Sequence, residues 1–119
     1  MKNKIAVFVF ADTESLEGLG RAFNALMAVK ELKEAGDEVK LIFDGAGTKW
    51  VGALSKPDHK AHVLFNRVKD KISGACSFCA GVFGVTDEVT RCKVPLSDEH
   101  DGHPSVKALI GAGYQILNF

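Results

Sequence analysis

Ile5-Ala6-Val7-Phe8-Val9-Phe10, followed closely by Asp12, Thr13 and Ser15, is the stretch from which the fold is read. Its apolar residues are rich in β-branched and aromatic side chains and do not alternate with polar ones. That pattern suits a strand covered on both faces, as in a parallel sheet. Asp12, Thr13 and Ser15 then supply helix N-cap chemistry. Leu16, Leu19, Phe23, Leu26 and Met27 recur at three- and four-residue steps and predict one apolar helix face. Gly36, just past Ala35, is the expected stop.

The alternation continues along the chain. Val39 to Phe43 reads as a second strand, ending in the turn cluster Asp44-Gly45-Ala46-Gly47. Trp50 to Leu54 reads as a short helix. Pro57 suits the start of another, with Ala61, Leu64, Phe65, Val68 and Ile72 facing inward. Gly74-Ala75-Cys76 closes a third strand, and Cys79 to Phe83 forms a short helix before Gly84. Val89 to Leu96 is expected as a fourth strand, with Pro95 near an edge or end. Asp98 to Gly102 is a polar loop, Pro104 opens a last helix, and Tyr114 to Phe119 is the final strand. Strands alternating with helices predict a three-layer α/β/α fold, a mainly parallel sheet of about five strands in a single domain over 1–119. Right-handed crossovers put the strand exits on one edge, so Asp12, Asp44 and Cys76 should share it. Ligands bind at that edge in open parallel sheets.

Composition narrows the function classes. Lysine plus arginine and aspartate plus glutamate number 15 each, so no global basic field exists to draw nucleic acid or an anionic membrane. No apolar run approaches the roughly 20 residues of a membrane span. Met1-Lys2-Asn3-Lys4 and the apolar run behind it lack the length and cleavage site of a leader. The expected setting is cytoplasmic. Three cysteines are too few for a disulfide framework, and in a reducing compartment a close pair points to catalysis or metal.

That pair is Cys76-Ser77-Phe78-Cys79. A thiol at a helix N-terminus meets free backbone donors that favour thiolate, which predicts a lowered pKa for Cys76. Cys79, a turn further in and crowded by Phe78 and Phe83, would stay a thiol. Two buried cysteines packing as small hydrophobes is the plainer reading of the same residues. Cys92 is expected to be buried in the fourth strand. The histidines fall as His59-x-x-His62 and His100-x-x-His103, ligand-like spacings beside a C-x-x-C pair. Their settings, a lysine-rich helix face and a charged loop, read as solvated, so no metal and no cofactor is expected. His100 is a candidate acid or base near a thiol. Asp44-Gly45 could cradle an anion but lacks the phosphate-loop spacings, and reads first as a turn. Asp12, Asp44 and Gly45 are the ligand-binding candidates.

The chain resembles the DsrE/DsrF-like family, which includes YchN-like proteins and TusD-type sulfur-relay subunits. Four stretches carry the resemblance: Lys4 to Phe10 with Ala11-Asp12-Thr13, Val39 to Gly45, Ala75-Cys76-x-x-Cys79 with Gly84-Val85, and Gly113 to Phe119. In relay members a cysteine after the third strand carries a persulfide to a partner. The Gly84-Val85 register carries that role to Cys76, with Cys79 as resolving thiol. Cys79 stands where relay subunits often have alanine, and Val82-Phe83 where they often place arginines. The resemblance implies a sulfurtransferase-type persulfide carrier that forms a homotrimer or homohexamer and meets a sulfur donor or acceptor protein. A non-enzymatic oligomeric binding module, with cysteines that pack or hold metal, is the alternative. Thiol–disulfide exchange is a lesser one, because Ser77-Phe78 lacks the Gly-Pro of thioredoxin-like motifs.

Overall fold

The structure is a computed structural model and describes residues 2–119; Met1, the first residue of the stretch weighed as a leader, lies outside them. Five strands, β1 (Lys4–Val9), β2 (Glu38–Phe43), β3 (Ile72–Cys76), β4 (Leu96–Ser97) and β5 (Gln115–Asn118), form one sheet in the order β4-β3-β2-β1-β5. All neighbouring pairs are parallel. The helices are α1 (Leu16–Glu34), α2 (Trp50–Ser55), α3 (His62–Val68), α4 (Ser77–Val82), α5 (Thr86–Arg91) and α6 (Val106–Gly111). This is the three-layer α/β/α architecture with a five-stranded sheet that the alternation of strand and helix signals predicts.

The strands alternate between two apolar faces. Ile5, Val7, Val9, Val39, Leu41, Phe43 and Ala75 join the main core with residues of α1, α2, α3, α4 and α5. Ala6, Phe8 and Ile42 face the other way and meet Leu109 of α6 and Tyr114. From β1 to β4 each crossover steps the same way along the sheet. Right-handedness therefore keeps all its helices on one face. Only the return from β4 to β5 runs backwards, and it lays α6 on the second face. Connections leaving β3 and β4 thus diverge to opposite faces, and a crevice opens at their carboxyl ends.

Several elements differ from the sequence expectation. Val89 to Leu96 is not a strand. Thr86–Arg91 is helical, and only Leu96–Ser97 pair with the sheet, at Ala75 and Cys76. Val89 is fully buried within the helix; its β-branched side chain was the misleading signal, because packing overrides propensity in a short segment. The buried face of α1 is Gly18, Ala22, Ala25, Leu26 and Val29. Leu16, Phe23 and Met27 instead lie 85%, 41% and 43% exposed, and small residues allow the close approach to the sheet. Pro57 begins a turn, and α3 starts only at His62. Pro104 precedes the last helix, whose N-cap is Ser105, its side chain accepting from Ala108 N–H.

Two glycines test this packing with opposite signs. A Cβ at Gly47 would stand 1.9 Å from the Val9 carbonyl oxygen. Gly47→Ala should destabilise the fold by about 1–3 kcal/mol, the usual cost of overpacking. Gly20, inside α1, has open space around its Cα. Gly20→Ala should stabilise by about 1 kcal/mol through helix propensity. Urea denaturation of both variants checks the pair of signs.

Candidate functional site

The crevice is built from three strand exits. Asp44 follows β2 and caps the 3-10 turn Gly45–Lys49. Cys76 ends β3, and its sulfur accepts the N–H of Cys79 at 3.4 Å as α4 begins. The third exit, after β4, is the loop that carries His103. His100 and His103 exchange two backbone hydrogen bonds of 2.8 Å. The residues between them, Asp101 and Gly102, have φ of 49° and 86°. Two left-handed central residues are what a type I′ turn requires, and Asp-Gly is its usual sequence. Phe78 N–H donates to Gly102 O at 2.9 Å and ties the turn to α4.

The turn brings His103 Nδ1 to 3.2 Å from Cys76 Sγ. Phe78 covers the imidazole, with ring centroids 5.0 Å apart. One donor atom each from Asp44, Cys76, Cys79 and His103 lie within 4.8 Å of one another. Cys76 is buried, while the other three are partly accessible. All three cysteines are free thiols.

Burial pushes the Cys76 thiol up from 9.0 to about 12. The Cys79 N–H pulls the other way, but the Cys79 side chain and the Asp44 carboxylate add to the rise. The expected low pKa at the helix start is therefore corrected: one weak backbone donor does not repay desolvation of a thiolate. Phe78 and Phe83, expected to crowd Cys79, are 57% and 40% exposed, and Cys79 itself is partly accessible.

The other candidates separate cleanly. Asp12 shares the edge but stays outside the cluster, exposed and bound to Lys49 at 2.6 Å. That hydrogen bond to Lys49 is the largest cause holding its carboxyl below the usual range. Gly45 donates its N–H to Asp44 Oδ1 at 2.7 Å, so this donor is occupied, not open to an anion. His62 sits between Leu54 O and Asn66 Nδ2, and His59 packs edge-on to the buried Trp50 while accepting the Ala61 N–H. Both are partly buried and engaged in these contacts. His100 is exposed, and the residue near the thiol is His103. Cys92 lies just after α5, partly buried against the core. His103, noted in the sequence only for its ligand-like spacing and expected in a solvated loop, is the residue that the Asp101-Gly102 turn presents to the thiol.

This geometry frames the comparisons with known proteins. Over 94 residues the chain is 36% identical to the uncharacterized protein MJ0733 of Methanocaldococcus jannaschii, covering 79% of this chain and 76% of that one. The chain belongs to the family of MJ0733. No family model matches it. A conserved protein of unknown function, BT1422 from Bacteroides thetaiotaomicron, has the same fold, with a TM-score of 0.68 over 98% of this chain and 95% of that one at 19% identity. No helix among the described residues is long and apolar enough to cross a membrane.

Because Cys76 keeps its proton to about pH 12 when folded and to 9.0 when unfolded, its contribution to stability is full below pH 9.0 and is lost as pH rises between those values. The slope from one such group is about 1.4 kcal/mol per pH unit. Cys76→Ala should lack that slope, so the stability difference between the two proteins should change with pH by that amount, read by urea denaturation of reduced, chelator-treated samples across the window. Parallel stability curves would show that burial does not set this pKa.

Proposed function

We propose that the protein handles sulfane sulfur, carrying it as a persulfide on the Cys76–Cys79 pair and passing it to a partner protein. The observation that carries this reading is an accessible thiol beside a buried thiol in contact with an imidazole. The resemblance to DsrE/DsrF-like proteins points the same way. A sulfane donor needs an approachable sulfur, and Cys76 is sealed. The roles implied by the resemblance are therefore exchanged: Cys79 receives and Cys76 resolves.

The chemistry balances without a cofactor. The Cys79 thiolate attacks the outer sulfur of a donor persulfide. The donor S–S bond breaks, the donor leaves as a thiolate, and Cys79 becomes a persulfide. An acceptor thiolate attacking the outer sulfur regenerates Cys79 with no net redox change. Without an acceptor, Cys76 attacks the inner sulfur, and its proton passes to His103 Nδ1. Hydrosulfide leaves, the two cysteines are oxidised to a disulfide, and the transferred sulfur is reduced. A reducing, cytoplasmic setting keeps the pair ready.

The assembled state belongs to the same reading. Phe78, Val82 and Phe83 reach solvent around the site. The second sheet face has a single covering helix. We infer a homotrimer or homohexamer that covers part of this apolar surface. Light scattering at micromolar concentration should give three or six times the chain mass; a clean monomer would contradict it.

Intact-protein mass after exposure to a small-molecule persulfide should show a transient gain of one sulfur atom per chain that gives way to the Cys76–Cys79 disulfide. Cys79→Ser should abolish the gain. Cys76→Ser should keep it and no longer proceed to the disulfide. Gain in Cys79→Ser, absent from Cys76→Ser, would restore Cys76 as the carrier; no gain in any form removes the sulfur reading.

A further inference from the structure

We propose that Asp44, Cys76, Cys79 and His103 form a binding site for zinc(II), closed by four protein ligands. Three separate strand exits deliver these groups: Asp44 after β2, the cysteines at the end of β3, and His103 after β4. Each offers one ligand atom, and the four atoms lie within 4.8 Å of one another. Tetrahedral zinc, with bonds of 2.3 Å to sulfur and near 2.0–2.2 Å to nitrogen and oxygen, needs ligand-to-ligand edges of roughly 3.3–3.8 Å. The Cys76–His103 edge, at 3.2 Å, is already near this range. The atoms now stand up to 4.8 Å apart, so closing the others takes relative shifts of up to about 1.5 Å, shared between the partly accessible Asp44, Cys79 and His103 side chains.

The donor set selects the metal. Two thiolates with one imidazole and one carboxylate in a tetrahedron suit zinc, whereas calcium and magnesium want oxygen shells and six or more ligands. The groups that would be outer partners are in place. Gly45 N–H holds Asp44 Oδ1, Cys79 N–H holds Cys76 Sγ, and Phe78 lies against the His103 ring. Outer partners of this kind orient first ligands. No ion pair with lysine or arginine reaches Asp44 among the described residues, so no side-chain cation occupies the place of the metal. On binding, the S–H bonds of both cysteines break, two Zn–S bonds form, and the protons go to solvent. Expected metal-free from the settings of its histidines, the chain supplies one of its four histidines to the site.

One consequence rests on the sulfur-handling reading: a zinc ion holding both sulfurs blocks persulfide formation. The metal site itself does not depend on that reading.

The full chain, reduced and chelator-treated, is titrated with zinc against a chromophoric competitor and with cobalt(II) as a spectroscopic probe. The expected result is one equivalent per chain, with tetrahedral cobalt bands and thiolate-to-cobalt charge transfer. His103→Ala and Asp44→Asn should each weaken zinc binding by more than the roughly 10–100-fold that loss of an outer partner costs. Cys79→Ser should reduce the charge-transfer intensity, and His100→Ala should change nothing. Uptake below one equivalent overturns the site. So does full uptake that His103→Ala and Asp44→Asn leave untouched, which would mean chelation by the thiol pair alone. The two latter variants are partly exposed and decide the matter even if a cysteine variant misfolds. Zinc uptake is read without any sulfur donor, so a failed sulfur transfer leaves it standing, and a failed uptake leaves the sulfur reading intact.

Discussion

Handedness of the crossover connection is the constraint on which this molecule depends. A right-twisted strand followed by a helix returns to the sheet from one side only. The chain walks from β1 to β4 in one direction and must therefore pile its first five helices on one face. It returns once, to set β5 beside β1, and that single return is the whole cover of the other face. Two features follow from this one rule. The main core is deep, while the second face remains lightly dressed by Leu109, Tyr114 and Ile116. The connections after β3 and β4 part company and leave a crevice between them. Cys76 and His103 are 27 positions apart in sequence and meet there.

Holding the imidazole in that crevice is a local problem with its own balance. Asp101 in a left-handed conformation costs roughly 1–2 kcal/mol, which Gly102 avoids. The reciprocal His100–His103 hydrogen bonds and the one from Phe78 to Gly102 offset it at about 1 kcal/mol each. The His103 ring then rests on Phe78, whose own backbone anchors the turn. One residue of the C-x-x-C segment thus fixes the histidine that faces the first cysteine. The spacer residue Phe78 has a positional job that neither of its flanking thiols could perform.

Much of this was legible in the chain because buried parallel strands and turn residues write locally. Ile5 to Phe10, Val39 to Phe43 and the Asp44-Gly45 turn were each read close to their observed places. The failures are of another kind. Val89 looked like strand because its neighbours did not reveal that it packs from a helix. Phe23 and Met27 looked inward because hydrophobicity was counted, whereas alanines and a glycine make the closer contact with the sheet. The site was half legible: Cys76, Cys79 and Asp44 stand at strand exits and could be placed on one edge. His103 could not, because its position is set by a crossover to the opposite face and by a turn, Asp101-Gly102, that lies within a charged loop. Asp12 could be placed at the edge but not paired with Lys49, a contact between a loop and the end of the 3-10 turn Gly45–Lys49.

The charge around Cys76 decides which groups can join it. Asp44 stands close to the sealed thiol of Cys76 and raises its pKa, and Gly45 N–H is already committed to that carboxylate. An anion would meet a carboxylate and find no free donor at Gly45, which argues against the phosphate-cradle reading of Asp44-Gly45. An uncharged sulfane sulfur adds no charge to the pocket as it bonds to Cys79. A divalent cation adds the opposite charge and is drawn by the same carboxylate that resists a second thiolate. The two occupants proposed above, sulfane sulfur and a thiophilic cation, would therefore compete for the same sulfur atoms. A site able to take either has its occupancy set by the supply of each, because one bound form excludes the other.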